Sequence, residues 1–85
     1  MTLEILTPDK KVFSGDVYGV QLPGTTGLFE VLEKHAPMIS ALKAGRVKIL
    51  KDRHNHTAFF TIQGGFAEVL NNKVTVLVEG ASAID

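Results

Sequence analysis

Apolar and polar residues alternate with a period of two along most of this chain, the spacing that buries one side of an extended strand. Leu3 and Ile5 flank Glu4. Thr7-Pro8-Asp9-Lys10 then reads as a turn, with the proline supplying a fixed φ. Val12 to Leu22 is predicted as one long strand, bent or bulged at Gly15 and Gly19, because glycine inside a strand marks a kink or a close backbone approach. Pro23-Gly24 and Gly27 punctuate a tight loop before a short strand over Leu28 to Leu32. Pro37 pushes Ala36 out of the helical region, so His35-Ala36-Pro37 is a further break.

Met38 to Ala44 alternates as a strand does, Ala44-Gly45 is predicted to turn, and Arg46 to Lys51 follows with Val47 and Ile49 on its apolar side. The polar run Asp52-Arg53-His54-Asn55-His56 reads as a hairpin tip, and Thr57 to Gln63 returns with Ala58, Phe60 and Ile62 on one side. Asn71-Asn72 gives the sharpest expectation, since asparagine tolerates the left-handed conformation that two-residue hairpin turns demand. That turn sets Val69 opposite Val74, Ala67 opposite Val76 and Gly65 opposite Val78, a core side. On the other side Glu68 faces Thr75 and Phe66 faces Leu77, either a surface that meets another protein or a pair lying beneath a loop. Eight or so short strands and no helix predict an all-β fold, a small two-sheet β-sandwich or flattened barrel.

A length of 85 residues bounds this to one domain, residues 1–85. A domain of this size gains from a partner that covers more of its apolar surface. Lys plus Arg equals Asp plus Glu at 9 each, which argues against a nucleic-acid binder and against electrostatic attachment to anionic lipid. One Tyr and no Trp leave little for single-strand stacking. There is no cysteine, so disulfide and thiol chemistry are excluded. Met1-Thr2-Leu3-Glu4 has neither the basic nor the apolar region of a signal peptide. No apolar run approaches the ~20 residues that span a bilayer as a helix.

The residues that could carry chemistry do not assemble into a motif. Ser14, Ser40 and Ser82 lack the glycine-flanked setting of a nucleophile elbow. His54 and His56 would point the same way on a strand, but a zinc site needs a third protein ligand. Gly24-Thr25-Thr26-Gly27 is followed by no Gly-Lys-Ser/Thr and so is no phosphate loop. His35 beside Pro37 is expected to hydrogen-bond its own loop. Lys73, next to Asn71-Asn72, is the one candidate for a biotinyl- or lipoyl-type carrier lysine, the alternative reading, and it lacks the flanking residues such a site uses.

Taken together, Leu22-Pro23-Gly24-x-x-Gly27, His35-Ala36-Pro37, Leu42 to Gly45, Gly64-Gly65-Phe66-x-Glu68-Val69 and Val74-Thr75-Val76-Leu77 resemble the epsilon subunit of the F-type ATP synthase, in order and over essentially the whole chain. The resemblance implies the β-sandwich domain of that subunit, a non-catalytic part of the rotating central stalk without a cofactor. Its implied partners are the gamma subunit and the c-ring, and it couples proton flow to ATP synthesis. The implied location is peripheral, on the cytoplasmic side of the bacterial inner membrane, without insertion into the bilayer. By the same resemblance Thr25, Thr26, Gly27, Leu28 and Glu30 map to the c-ring contact, and Thr7, His35 and Ser40 to the gamma contact. The chain departs from the family pattern at Leu28, usually Glu, at Glu30, usually Gly, and at Glu33 and Lys34, often Pro or Gly. Most bacterial relatives continue beyond the Ile84-Asp85 region into a two-helix hairpin. The small, uncharged Gly80-Ala81-Ser82-Ala83 leads us to expect a short form instead, with neither inhibition of rotation nor nucleotide sensing by this subunit.

Overall fold

The alternation resolves into eight strands in a computed structural model that describes residues 1–54 and 56–84. They are β1 (Thr2–Leu6), β2 (Lys11–Asp16), β3 (Gly19–Gly24), β4 (Gly27–Leu32), β5 (Met38–Leu50), β6 (Thr57–Leu70), β7 (Lys73–Val78) and β8 (Ala81–Ile84). Hydrogen bonding links them in one path, β2-β1-β7-β6-β5-β3-β4, with β8 added to β6. The path doubles over because β5 and β6 are 13 and 14 residues long and each serves two layers. The second half of β6 pairs with β7, and its first half pairs with β8. The second half of β5 pairs with β3 at Lys48 to Leu50. A first layer, β2-β1-β7-β6-β5, thus lies over a second, β8-β6-β5-β3-β4, and the long β5–β6 hairpin belongs to both.

The corner sits at two glycines. The β5–β6 register is constant from Met38 opposite Val69 to Leu50 opposite Thr57, but the paired residues omit Lys43 and Gly64. Gly64 has φ 99° and Gly65 φ 149°, conformations that a side chain resists. A Cβ at Gly65 would overlap the Leu77 carbonyl oxygen. The expected Ala44-Gly45 turn is therefore a bend within one continuous strand. Gly45 is small for a packing reason, since a Cβ there would come within 3.1 Å of the Pro23 ring.

Inward-facing residues from both layers meet in one core. Leu3, Ile5, Ala67, Val69, Val74 and Val76 come from the first layer, and Val20, Leu22, Val31, Val47, Ile49 and Ile62 from the second. Phe13 of β2 packs edge-on against Phe60 of β6 with centroids 6.0 Å apart, which ties the layers together. The expected hairpin register holds throughout: Val69–Val74, Ala67–Val76, Gly65–Val78, Glu68–Thr75 and Phe66–Leu77 are all partners. Asn71 and Asn72 take φ 51° and 60°, the left-handed pair that a type I′ turn requires.

A second expectation fails besides the Ala44-Gly45 turn. Val12 to Leu22 is not one bent strand but two strands in different layers, with the break between the glycines at Val17-Tyr18. The Val17 amide donates to the Met1 carbonyl at 2.7 Å and the Tyr18 amide donates to the Leu50 carbonyl at 2.9 Å. The chain changes layer between adjacent residues. The segment after Gly80, to which the sequence assigned no element, is a strand, with Ala81 to Ile84 opposite Ile62 to Phe59. Asn55 of the expected hairpin tip, and Asp85, lie outside the described residues.

Candidate functional site

Strand alternation sends every second residue of the first layer outward, and that outward side is unusually apolar. Leu6, Leu77, Phe66 and Ala41 form a row across β1, β7, β6 and β5, with Glu4, Thr75, Glu68 and Ile39 in the next. Phe66 is 58% exposed, Leu77 51% and Ile39 73%. Singly exposed apolar residues are ordinary, but a contiguous row on one sheet is a surface that a partner could cover. The β1–β2 end of the same side is ionic. Glu4 accepts from Lys11 at 3.0 Å and Lys73 at 3.1 Å, and these hydrogen bonds, Lys11's foremost, hold its carboxyl below the usual range. A cavity of about 270 Å³ opens beside the row, lined by Leu6, Thr7, Pro8, Leu77, Val78 and Glu79.

The three residues expected at the gamma contact are not a cluster. Thr7 opens the β1–β2 turn, where its amide donates to the Lys10 carbonyl at 2.9 Å, and it borders the cavity beside Leu77. Ser40 lies three strands away on β5, at strand spacings of about 4.8 Å. It pairs with Ala67, so it has the opposite facing from Ile39 and Ala41, and its hydroxyl donates to the Ala41 carbonyl at 3.3 Å. His35 is in the β4–β5 loop, its Nδ1 2.7 Å from the Ala36 carbonyl oxygen, the loop-bonding role its sequence setting predicts. Only Thr7 borders the apolar row; Ser40 is on the other side of the sheet and His35 is in a loop. Sequence reasoning assigned the row's own residues no role beyond the Phe66–Leu77 pair; hairpin register was the signal that found that pair.

The residues expected at the c-ring contact do form one strip. Gly24 and Gly27 close the β3–β4 hairpin, with Thr25 and Thr26 exposed at its tip. The Thr25 amide donates to the Ala41 carbonyl at 3.1 Å and anchors the tip to β5. Gly27 takes φ 138°, with open space around it. Leu28, opposite Pro23, and Glu30, opposite Gln21, face outward on the second layer, and Leu28 is 65% exposed. The neighbouring loop holds a side chain in a glycine-like conformation: Lys34 has φ 61°, and its amide donates to Asn72 Oδ1 at 2.8 Å. That bond joins the second layer to the β6–β7 turn of the first.

Elsewhere the polar groups serve the fold. Asp52 and His56 Nδ1 are 2.6 Å apart, and that bond together with the His54 amide lowers the Asp52 pKa. Lys73, the carrier-lysine candidate, is half exposed and paired with Glu4 at 3.1 Å. Among the described residues no three His, Cys, Asp or Glu side chains gather where they could hold a metal.

Residues 1–84 match the family described as "ATP synthase, Delta/Epsilon chain, beta-sandwich domain". The chain is 50% identical to an ATP synthase epsilon chain of Chlorobaculum tepidum, over 95% of its own length and 91% of that protein's. It is 46% identical to the ATP synthase epsilon chain of Salinibacter ruber, over its full length but only 64% of that protein's. In fold it is similar to a chain in the Euglena gracilis mitochondrial ATP synthase, with TM-score 0.88 at 22% identity, covering 98% of this chain and 54% of that one. It is also similar to a chain in the Tetrahymena thermophila mitochondrial ATP synthase central stalk and c-ring, with TM-score 0.81 at 19% identity, covering 95% and 64% respectively. The family match over residues 1–84, the similar fold and the half-identical sequence agree: this chain belongs to the β-sandwich domain family of the ATP synthase delta/epsilon chains.

Proposed function

We propose that this chain works as a non-catalytic part of the central stalk of an F-type ATP synthase. It docks on the gamma subunit through the outward side of the first layer and meets the c-ring through the β3–β4 hairpin. In that position it passes torque between proton flow and ATP synthesis, on the cytoplasmic face of a bacterial membrane and without entering the bilayer. The observation that carries this reading is the exposed row of Leu77, Phe66 and Ala41, with Ile39 beside it, on a sheet whose other side is a closed core. Burying such a row removes apolar surface from water and fixes a rigid body against its partner. Thr7 borders the gamma-facing surface and His35 lies in the β4–β5 loop, while Ser40 faces the other side of β5 and so serves that contact only indirectly; Thr25, Thr26, Gly27, Leu28 and Glu30 present the ring-facing strip. With Leu28 where the family usually has Glu, the ring contact at that position is apolar.

Co-purification with gamma tests the first half, and stoichiometric capture is the expected result. A Thr7→Cys variant should cross-link to gamma and a Leu28→Cys variant to the ring. A folded chain that captures no gamma would reject the reading outright.

A further inference from the structure

The outward side of the second layer carries, beside the ring-facing strip and sharing Leu28 with it, a set of cationic side chains that the stalk reading does not use. An open groove of about 620 Å³ has Pro23, Leu28 and Phe59 as its apolar lining and Lys43, Arg46 and Lys48 as its charges. No carboxylate lines it. Although the chain is neutral as a whole, five of its nine cationic side chains fall between Lys43 and Arg53, against one carboxylate, Asp52. Among the described residues, none of Lys43, Arg46 and Lys48 lies within ion-pair distance of a carboxylate. Glu30, opposite Gln21, shares this side of the layer but stands outside the groove lining and marks its limit.

The cations are also ordered. The Arg46 guanidinium carbon lies 5.2 Å from the centre of the Phe59 ring, a stacking that holds the planar fork and leaves its edge free to bind a carboxylate. Arg46 and Lys48 are two residues apart on β5, so they share a side at a spacing of roughly 6.6 Å. An extended peptide with acidic residues at alternate positions repeats at that same distance. Its charges would meet Arg46 and Lys48 in register, while an apolar side chain rests on Leu28 and Phe59.

We propose that this groove docks an acidic, extended segment of a partner protein, with glutamate or aspartate at alternate positions and an aliphatic or aromatic anchor. Period-matched cations around an apolar lining favour such a peptide over a lipid headgroup, which has no repeat to match. Leu28 is shared with the ring-facing strip of the stalk reading, but the binding is measured on the chain alone, so its failure is distinct from a failure to capture gamma.

The test is a titration of the isotope-labelled 85-residue chain with a decapeptide alternating glutamate and leucine, followed by amide chemical shifts. Shifts should centre on Leu28, Lys43, Arg46, Lys48 and Phe59 and shrink as salt is raised. Arg46→Gln should weaken binding about two- to fivefold, as expected for one surface ion pair. Reversing both charges, with Arg46→Glu and Lys48→Glu, should abolish it. The β1 and β7 amides report whether each variant is folded, and Lys48→Gln replaces any variant that is not. Equal binding of a lysine–leucine decapeptide, shifts centred on Phe66 and Leu77, or no shifts at millimolar peptide would overturn the proposal. So would phosphatidylglycerol vesicles that perturb the groove when the peptide does not.

Discussion

Val76 and Leu77 are adjacent aliphatic residues on β7, yet Val76 is fully buried and Leu77 is half exposed. The same split runs through the strand beside it, where Ala67 is buried and Phe66 exposed. Composition cannot distinguish the two sides of this hairpin; register can, because a strand's side chains alternate by position and not by chemistry. The inward side is matched by the second layer, so its apolar surface contributes to stability. Among the described residues the outward side has no such cover, and its apolar surface is available to a partner. One side holds the domain together, and the other is the surface we propose it docks by.

Changes at the corner that creates the inward side should have the largest effect. Gly65→Ala sets a Cβ against the Leu77 carbonyl at a φ that side chains resist, so a loss of about 4 kcal/mol or more in urea unfolding is expected. Ile62→Ala and Leu3→Ala empty fully buried positions and should each cost about 2–5 kcal/mol by the same measurement. Across the sheet, Leu77→Ser and Phe66→Ser should change stability by only about 0.5 kcal/mol, while capture of gamma falls at least severalfold. Equal destabilisation by inward and outward changes would erase the contrast between the sides.

The smallest effect concerns the ionic end of the outward side. The pKa of Glu4 is lowered by Lys11 and Lys73, so its contribution to stability is fully present above the ordinary glutamate pKa. It is lost as pH falls through the lowered, folded-state value. Glu4→Gln should therefore flatten the acid limb of a stability–pH curve by lowering the neutral plateau slightly, and leave the low-pH end unchanged. A wild-type curve that is already flat through that acid window would remove this ion-pair cluster from the account.

Local signals in the sequence were enough for much of this. The Asn71-Asn72 turn fixed five cross-strand pairs, and the alternation around Val47, Ile49, Phe60 and Ile62 placed four core residues correctly. Motif order identified the family. What failed did so at glycines, which look alike in sequence whether they turn a chain, bend it or admit a neighbour. Gly45 sits inside a strand to make room for Pro23, Gly64 and Gly65 carry a strand around a corner, and Gly15 and Gly19 flank a break that neither occupies.

Sequence by itself determined the strand character, the facing of most side chains and the turn at the two asparagines, because each depends on residues within a few positions of one another. Only the tertiary structure decided that β5 and β6 belong to both layers and that the chain crosses between layers at Val17-Tyr18. It alone brought Arg46 over Phe59 and left Phe66 and Leu77 uncovered. These outcomes depend on which distant strands become neighbours, and long-range pairing leaves no periodic trace along the chain.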